Sequence, residues 1–323
     1  MTRPLLVRAV DTVLDRSLVL GYTTIGLAVR RALPGWPADP PAGALVGRHV
    51  LVTGASSGLG AATAEGLAGL GAVVHMVVRD EAKGAAVADR IRATHPGAEL
   101  RLWRCDVADL DDVRRFAEAF AAEVGELHAV VHNAGVMPPT RTESPQGHEL
   151  SMAVHLIGPV VMTEALRGPL AAGGGGRVVL VSSGGMYGQP LRADDPGFQR
   201  GDYSPTTSYA RSKRWQVEMA PLLAERWAAD GIIVATMHPG WADTPGVQES
   251  LPRFRAITRP VLRDDAQGAD TSVWLTAVEP PPPTGRFWHD RVERPTSLLP
   301  STRPDGPTRD RAWAWLRDAA ALT

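Results

Sequence analysis

Cysteine occurs once in this chain of 323 residues, at Cys105. That excludes an internal disulfide framework and any cysteine cluster for zinc or for iron and sulfur, and a reducing, cytoplasmic setting is the expectation. Lysine occurs only twice, at Lys83 and Lys213, among 34 basic residues, so arginine supplies nearly every positive charge. An excess of one sign of charge is missing too. The formal net charge is −1, which gives no overall pull toward nucleic acid, and no such partner is expected. Long apolar runs are absent as well. The uncharged stretch Ser17 to Val29 covers 13 residues, short of the roughly 20 that cross a bilayer. Arg8, Asp11, Asp15 and Arg16 break up the N-terminus, which therefore does not read as a secretory signal.

What is present has the balance of a globular protein, 44% hydrophobic and 21% charged. Near the start, Leu5, Leu6, Ala9, Val13, Leu14 and Leu18 recur at helical spacing. Residues 1–33 thus read as a helix that either docks on the body or makes peripheral contact with a membrane, and the pattern leaves both open. Four prolines between 34 and 41 then mark an extended linker up to residue 46. From 47 the chain alternates β-rich runs (48–53, 72–78, 99–105, 127–133, 177–182 and 232–237) with helical stretches. Nearly continuous apolar runs of this kind suit strands covered on both faces of a parallel sheet. The expected fold is α/β, one doubly wound Rossmann domain over 47–300, with the N-terminal extension 1–46 and a tail helix in 301–323. That tail places Trp313 and Leu316 on one face, to cap the body or to join subunits of a homo-oligomer.

Directly after the first run comes "TGASSGLG", Thr53 to Gly60, opening into a helical stretch. Gly54, Gly58 and Gly60 let backbone approach a pyrophosphate, and Thr53, Ser56, Ser57 and Leu59 lie in the same turn. The helix N-terminus behind it offers free N–H groups to the anion. The same letters also fit the G-x-S-x-G nucleophile elbow with Ser56 at its centre. That elbow belongs after several strands, whereas here it follows the first. At the end of the second run stands Arg79, suited to a ribose 2′-phosphate, beside Asp80, suited to free ribose hydroxyls. NADP(H) is favoured and NAD(H) remains open. "HNAG" at 132–135 and "SSGG" at 182–185 end the fourth and fifth runs, at the carboxyl edge where open sheets bind ligands.

The lysine at 213 needs its own reason in so arginine-rich a chain. Ser204 and Pro205 signal a helix start, which puts Tyr209 and Lys213 one turn apart on one face. A phenol titrates near 10 in water, and a neighbouring compact ammonium is expected to lower it toward neutrality. An ammonium can also reach a ribose hydroxyl. At these residues the sequence resembles the short-chain dehydrogenases/reductases, which share TG-x-x-x-G-x-G, NAG, a serine and Y-x-x-x-K in this order, over residues 47 to 300 or so. Within that family "VSSGGMYGQ", "SYARSKRWQ", "MHPGWADTPGV" and "GRFWHDR" look most like the member-twelve-like group.

The resemblance implies an oxidoreductase that interconverts an alcohol and a carbonyl of a small-molecule substrate, with NADP or NAD as cofactor. Tyr209 would be the general acid/base, Lys213 its partner and ribose ligand, and Ser183 the group that polarises the carbonyl. Asp106 and Val107 would meet the adenine, and Asn133, Ala134 and Gly135 the adenosine ribose. Pro239, Gly240 and Thr244 would line the nicotinamide. One position departs from the pattern: His155 stands where the family usually has the asparagine of a water-borne proton relay, and a histidine can bond a water there. The span from Ser183 to Tyr209 is longer than is common in the family, which suggests an added loop whose Phe198 and Tyr203 face the substrate. Trp241, after "HPG", is placed with them, and together they hint at a bulky apolar substrate. The remaining histidines have no metal-ligand spacing.

Overall fold

The computed structural model of the chain describes residues 4–17, 20–243 and 258–322. Eight strands form one sheet in the order β3-β2-β1-β4-β5-β6-β7-β8. They are β1 His49–Thr53, β2 Val73–Val78, β3 Glu99–Arg104, β4 Ala129–His132, β5 Arg177–Val181, β6 Ile233–Met237, β7 Arg286–His289 and β8 Val292–Glu293. All pair in parallel except β7 with β8, which close a hairpin. The first six match the β-rich runs read from the sequence. β7 and β8 were not foreseen, because RFWH and VE are short and mixed in polarity and form no apolar run.

The sheet is covered on both faces, as a parallel sheet requires. Strand alternation sends Leu51 to one face and Val50 and Val52 to the other. Helices α3 Gly58–Gly69 and α4 Glu81–Thr94 cover the second face, together with α10 Asp265–Ala277. On the first lie α5 Leu110–Glu123, α7 Gly158–Ala165, α8 Arg167–Ala172 and α9 Pro205–Arg226. The one-turn α6 Leu150–Met152 leads into α7 through a π-turn at Ala153–Ile157, a local widening that often marks a functional position. The tail helix, α11 Gly306–Ala319, buries Ala312 and Leu316 in this same core and sets Trp315 edge-on to Trp215 at 5.1 Å. It caps the body.

The N-terminal segment forms two helices, α1 Leu5–Arg16 and α2 Thr24–Ala32. It docks on the body, one of the two readings the sequence left open, but not by its apolar face. The spacing of Leu5, Leu6, Ala9 and Val13 marks an apolar face, yet that face is turned outward: Leu5 is 83% exposed, Leu6 77% and Val13 69%. Leu18 lies outside the described residues. The buried positions of α1 are Val7, Asp11 and Asp15. Three carboxylates and three guanidinium groups account for this. Arg30 donates to Asp11 at 2.8 Å and to Asp290 at 2.7 Å. Arg294 grips Asp11 with two bonds of 2.9 Å, and Arg263 grips Asp290 at 2.7 and 2.9 Å. Asp15 lies 3.4 Å from Arg294 and 3.8 Å from Arg30. Formal charges cancel, and bidentate geometry is what lets such a cluster tolerate burial.

Asp290 and Arg291 are the two turn residues of the β7–β8 hairpin, and both adopt positive φ, at 51° and 57°. A two-residue hairpin with both centres left-handed matches the twist of the strands. It costs some backbone strain at non-glycine residues, and Asp is among the types that tolerate it best.

Candidate active site

The cradle after β1 is built by close approach of backbone. A Cβ at Gly60 would lie 2.2 Å from the Gly54 carbonyl oxygen and 2.5 Å from Asn133 Nδ2. Gly54 has φ of 68°, and a Cβ there would press on Ala134 Cα at 2.8 Å. Thr53 Oγ1 accepts from the backbone N–H groups of both Asn133 and Ala134 at 3.1 Å, and Asn133 Nδ2 donates to the Thr53 carbonyl at 3.2 Å. The turn from β1 and the end of β4 are thus locked into one floor, with Gly135 exposed beside it. Ser57 caps α3 with no side-chain bond, so the first N–H groups of that helix are left for an anion, with Ser56, Gly58 and Leu59 around them. Ser56 sits in this turn, at the end of the first strand and not in an elbow after several strands. Gly60→Ala is expected to weaken dinucleotide binding more than about tenfold, or ~1.4 kcal/mol, while the fold survives; calorimetric titration with NADPH checks it.

Arg79 is exposed at the end of β2, whereas Asp80 is committed elsewhere: its carboxylate accepts from the Lys83 N–H at 3.1 Å as the N-cap of α4. Past β3, Asp106 Oδ1 accepts from the Ala108 N–H at 3.0 Å, and its own N–H donates to Asp112. Val107 is buried, and its carbonyl would collide with a Cβ at Gly158, which fixes the entry of α7. These residues and the glycine turn present the groups a dinucleotide needs: close backbone for a pyrophosphate, an uncapped helix start and a free guanidinium.

Ser183, Tyr209 and Lys213 come together beside this cradle. Ser204 caps α9 and Pro205 opens it, which sets Tyr209 and Lys213 one turn apart as the spacing requires. Ser183 follows β5, its Oγ accepting from the Gly185 N–H at 3.3 Å, and it is close enough to Tyr209 to favour the ionised phenol. Lys213 Nζ lies 5.5 Å from the centre of the Tyr209 ring and donates to the Val181 carbonyl at 2.7 Å. Ser182, one residue earlier, is buried and donates to the Lys213 carbonyl at 2.9 Å, so it holds α9 against β5.

The electrostatics differ from the sequence expectation. Burial pushes the Tyr209 phenol up to about 12, with Ser183 pulling the other way. The ring is only partly buried by area, so water in the cleft moderates that push. Lys213 is almost wholly enclosed, and burial takes it down to about 7. An ammonium whose own charge is disfavoured is a weak lever on its neighbour. Tyr209 is therefore held as the phenol at neutral pH.

His155, inside the π-turn, is fully buried and held neutral by burial, with the Lys213 charge acting the same way. Its Nε2 accepts from the Val136 N–H at 3.0 Å, which leaves Nδ1–H to donate to Ser212 Oγ at 2.7 Å. Its carbonyl accepts from Gln216 Nε2 at 2.5 Å. Both ring nitrogens are thus engaged by protein, and a water bonded to this imidazole is not what the geometry favours.

The longer loop between Ser183 and Tyr209 also departs from expectation. Phe198 is buried, with φ of 46°, under the Arg211 guanidinium at 4.0 Å and against Tyr203 at 5.2 Å. The Tyr203 hydroxyl donates toward Glu149 at 3.3 Å. This loop packs over 141–152 and encloses a polar cleft of about 180 Å³ that includes Glu149, Asp194, Asp195 and Trp315, so it is no apolar wall. Trp241 is half-buried where expected, after Pro239 and Gly240; Thr244 lies outside the described residues.

The sequence reading missed Tyr22. It is buried from the N-terminal segment edge-on to His238 at 4.5 Å and Trp241 at 6.3 Å. A Cβ at Gly184 would meet its ring at 2.7 Å, immediately beside Ser183. The Tyr22 carbonyl accepts from the Trp241 N–H at 2.7 Å, and Arg263 donates to Pro239 at 3.0 Å and to Thr23 at 3.3 Å. Gly240, with φ of 78°, has room for no Cβ between Arg263 and the Tyr22 carbonyl. The N-terminal segment is one wall of the site. No local pattern signals this, since the partners lie more than 160 positions away. Among the described residues no group of His, Cys, Asp and Glu could hold a metal.

Residues 48–253 match the short chain dehydrogenase family model. The chain is 38% identical to dehydrogenase/reductase SDR family member 12 of Homo sapiens over 281 residues, covering 86% of this chain and 87% of that one. It is 32% identical to retinol dehydrogenase 12 of Bos taurus, covering 83% and 85%. A metagenomic short-chain oxidoreductase solved in complex with NADP superposes with a TM-score of 0.54 at 25% identity, covering 79% of this chain and 97% of that one. With its glycine cradle and its serine, tyrosine and lysine in the order and places described, the chain belongs to the short-chain dehydrogenase/reductase family, in the group of dehydrogenase/reductase SDR family member 12.

Proposed function

We propose that this oxidoreductase interconverts an alcohol and a carbonyl on a bulky apolar small molecule, with NADP(H) in preference to NAD(H). The observation that carries the reading is the gathering of Ser183, Tyr209 and Lys213 at the carboxyl edge of the sheet, next to the glycine cradle, with Lys213 Nζ 5.5 Å from the Tyr209 ring. A nicotinamide dinucleotide held by Thr53 to Gly60, Arg79, Asp106 and Asn133 supplies the hydride chemistry. The protein's share is position and a proton. Ser183 directs its O–H at a carbonyl oxygen, and Tyr209, kept as the phenol, gives its proton to that oxygen as charge develops on it. Lys213, a compact ammonium with three donors, has donors to offer a ribose hydroxyl as well as Val181.

The cofactor preference rests on Arg79 being free while Asp80 is spent on a helix cap. A similar protein is solved with NADP, which agrees with it. Substrate character rests on Tyr22 beside Gly184, with Trp241 edge-on to it, and on likeness to a retinol dehydrogenase. Arg79→Asp is expected to raise the KM for NADPH about tenfold to a hundredfold, the worth of a charge-assisted hydrogen bond, and to leave NADH little changed. Steady-state rates with each dinucleotide across a panel of aromatic, steroid-like and long-chain carbonyls test both halves. Equal loss with NADPH and NADH would remove Arg79 from the argument.

A second reading is favoured by one observation. With the His155 ring and carbonyl engaged by Val136, Ser212 and Gln216, a protein that binds nucleotide with little turnover would look the same. NADPH binding without reduction of any carbonyl, relieved by His155→Asn, would select that reading.

A further inference from the structure

We propose that the outer face of the N-terminal segment, residues 4–33, is a seat for an anionic lipid surface, holding the protein flat on a membrane with the wall of its active site directly beneath. The inference starts from the reversed docking of α1. A helix that packs on a body ordinarily buries its apolar stripe and leaves its charges in water. Here Asp11 and Asp15 are buried against Arg30 and Arg294, while Leu5, Leu6 and Val13 stand in solvent. Leu20, Ile25 and Val29 continue the exposure at 53%, 47% and 38%. Large aliphatic side chains exposed along both helices of one segment call for an apolar medium to cover them.

Charge selects the medium. Among the described residues of this segment, both acids are inside and ion-paired, and the charged side chains left on the surface are Arg8, Arg16 and Arg31, all positive. Arg31 also reaches Asp270 at 3.0 Å, on the body side. A segment that exposes leucine, valine and isoleucine together with arginine as its surface charge matches the boundary between acyl chains and anionic headgroups, where apolar contact and charge attraction add. A second copy of the chain is a poorer fit, because a two-fold axis through this face sets its arginines against one another. A protein partner is poorer too, since the exposed apolar positions include none of the aromatic residues that enrich such interfaces. Among the described residues no helix is long and apolar enough to cross a membrane, so the seat is peripheral.

Location ties this seat to the site. On the inner side of the same segment, Tyr22 touches Gly184, His238 and Trp241. A membrane under α1 and α2 is thereby one layer of residues from Ser183. An apolar substrate would have a short route from the bilayer. The seat itself does not depend on turnover, because the residues that form it are exposed on the segment and take no part in the chemistry.

The test is flotation of the full chain with vesicles of phosphatidylcholine alone and of phosphatidylcholine with about 30% phosphatidylserine. The protein is expected to float with the anionic vesicles, less so as salt rises, and weakly with the neutral ones. Leu5→Ser, Leu6→Ser and Val13→Ser combined should cut the bound fraction more than about tenfold. These positions are in solvent, so the melting temperature and NADPH binding should not move. Failure of the intact chain to float with either vesicle overturns the proposal. So does a triple variant that floats as well as the parent. A third outcome also overturns it: a dimer in sedimentation that the triple substitution splits while vesicles bind neither form.

Discussion

Tyr209→Phe should lower the single-turnover rate of NADPH oxidation by a carbonyl substrate by about a hundredfold to ten-thousandfold, the usual contribution of a positioned general acid. Only the hydroxyl is removed. The ring keeps its edge-on contact with His155 at 5.2 Å and its place under Lys213, so NADPH affinity should stay within about threefold of the parent. Ser183 loses its phenol neighbour yet keeps the Gly185 N–H. A large loss of rate with unchanged binding isolates the proton donor from the cradle. A rate that survives the change would mean that the proton comes from elsewhere, and water in the cleft would become the donor to examine. Stopped-flow absorbance of the reduced nicotinamide, with calorimetric binding beside it, gives both numbers.

Asp290→Ala is expected to be the most damaging single change to stability, at about 3 to 5 kcal/mol. Asp290 is 1% exposed and holds Arg30 and Arg263, which are equally buried. Removing it leaves the buried Arg263 with no carboxylate among the described residues and Arg30 with Asp11 as its close one, and the penalty of an uncompensated buried charge exceeds whatever the pairs contribute when intact. The carboxylate is correspondingly held below its ordinary range, chiefly by Arg263 and then Arg30, against the burial that raises it. Alanine also fits poorly at φ of 51°. Asp290→Asn separates the two causes, because asparagine tolerates that backbone and keeps one acceptor oxygen for the guanidinium groups without the charge. It should cost clearly less than alanine. Because Arg263 also carries Pro239 and Thr23, loss of Asp290 should loosen the 238–241 loop and the N-terminal wall together. Thermal melts of the two variants, with limited proteolysis near residue 20, check both the size and the place of the effect. Equal melting temperatures for all three proteins would show that the buried ion cluster carries no stability.

Much of this protein was determined by sequence over short distances. Six β-rich runs, each long enough to show its period, foretold β1 to β6, and their apolar continuity foretold a parallel sheet covered on both faces. The glycine turn after β1 and the four-residue spacing of Tyr209 and Lys213 were legible for the same reason: backbone conformation and helical periodicity are set by neighbours in the chain. The scarcity of lysine singled out position 213 before any contact was known.

Tertiary structure decided what depends on partners far away in sequence. Amphipathic spacing named the apolar stripe of α1 but could not say which face would be buried, because Asp11 finds Arg294 across 283 positions and Arg30 finds Asp290 across 260. Tyr22 became a wall of the site by the same route. The ionisation of Tyr209 and Lys213 was beyond the spacing too: both are governed first by burial, which is a property of everything packed around them. His155 read as a candidate to hold a water until Val136, Ser212 and Gln216 were seen to occupy it. Local rules place the chemistry-bearing residues on their elements. Desolvation and long-range pairing, which act only once the chain is folded, set their charge, their partners and which side of the molecule meets its surroundings.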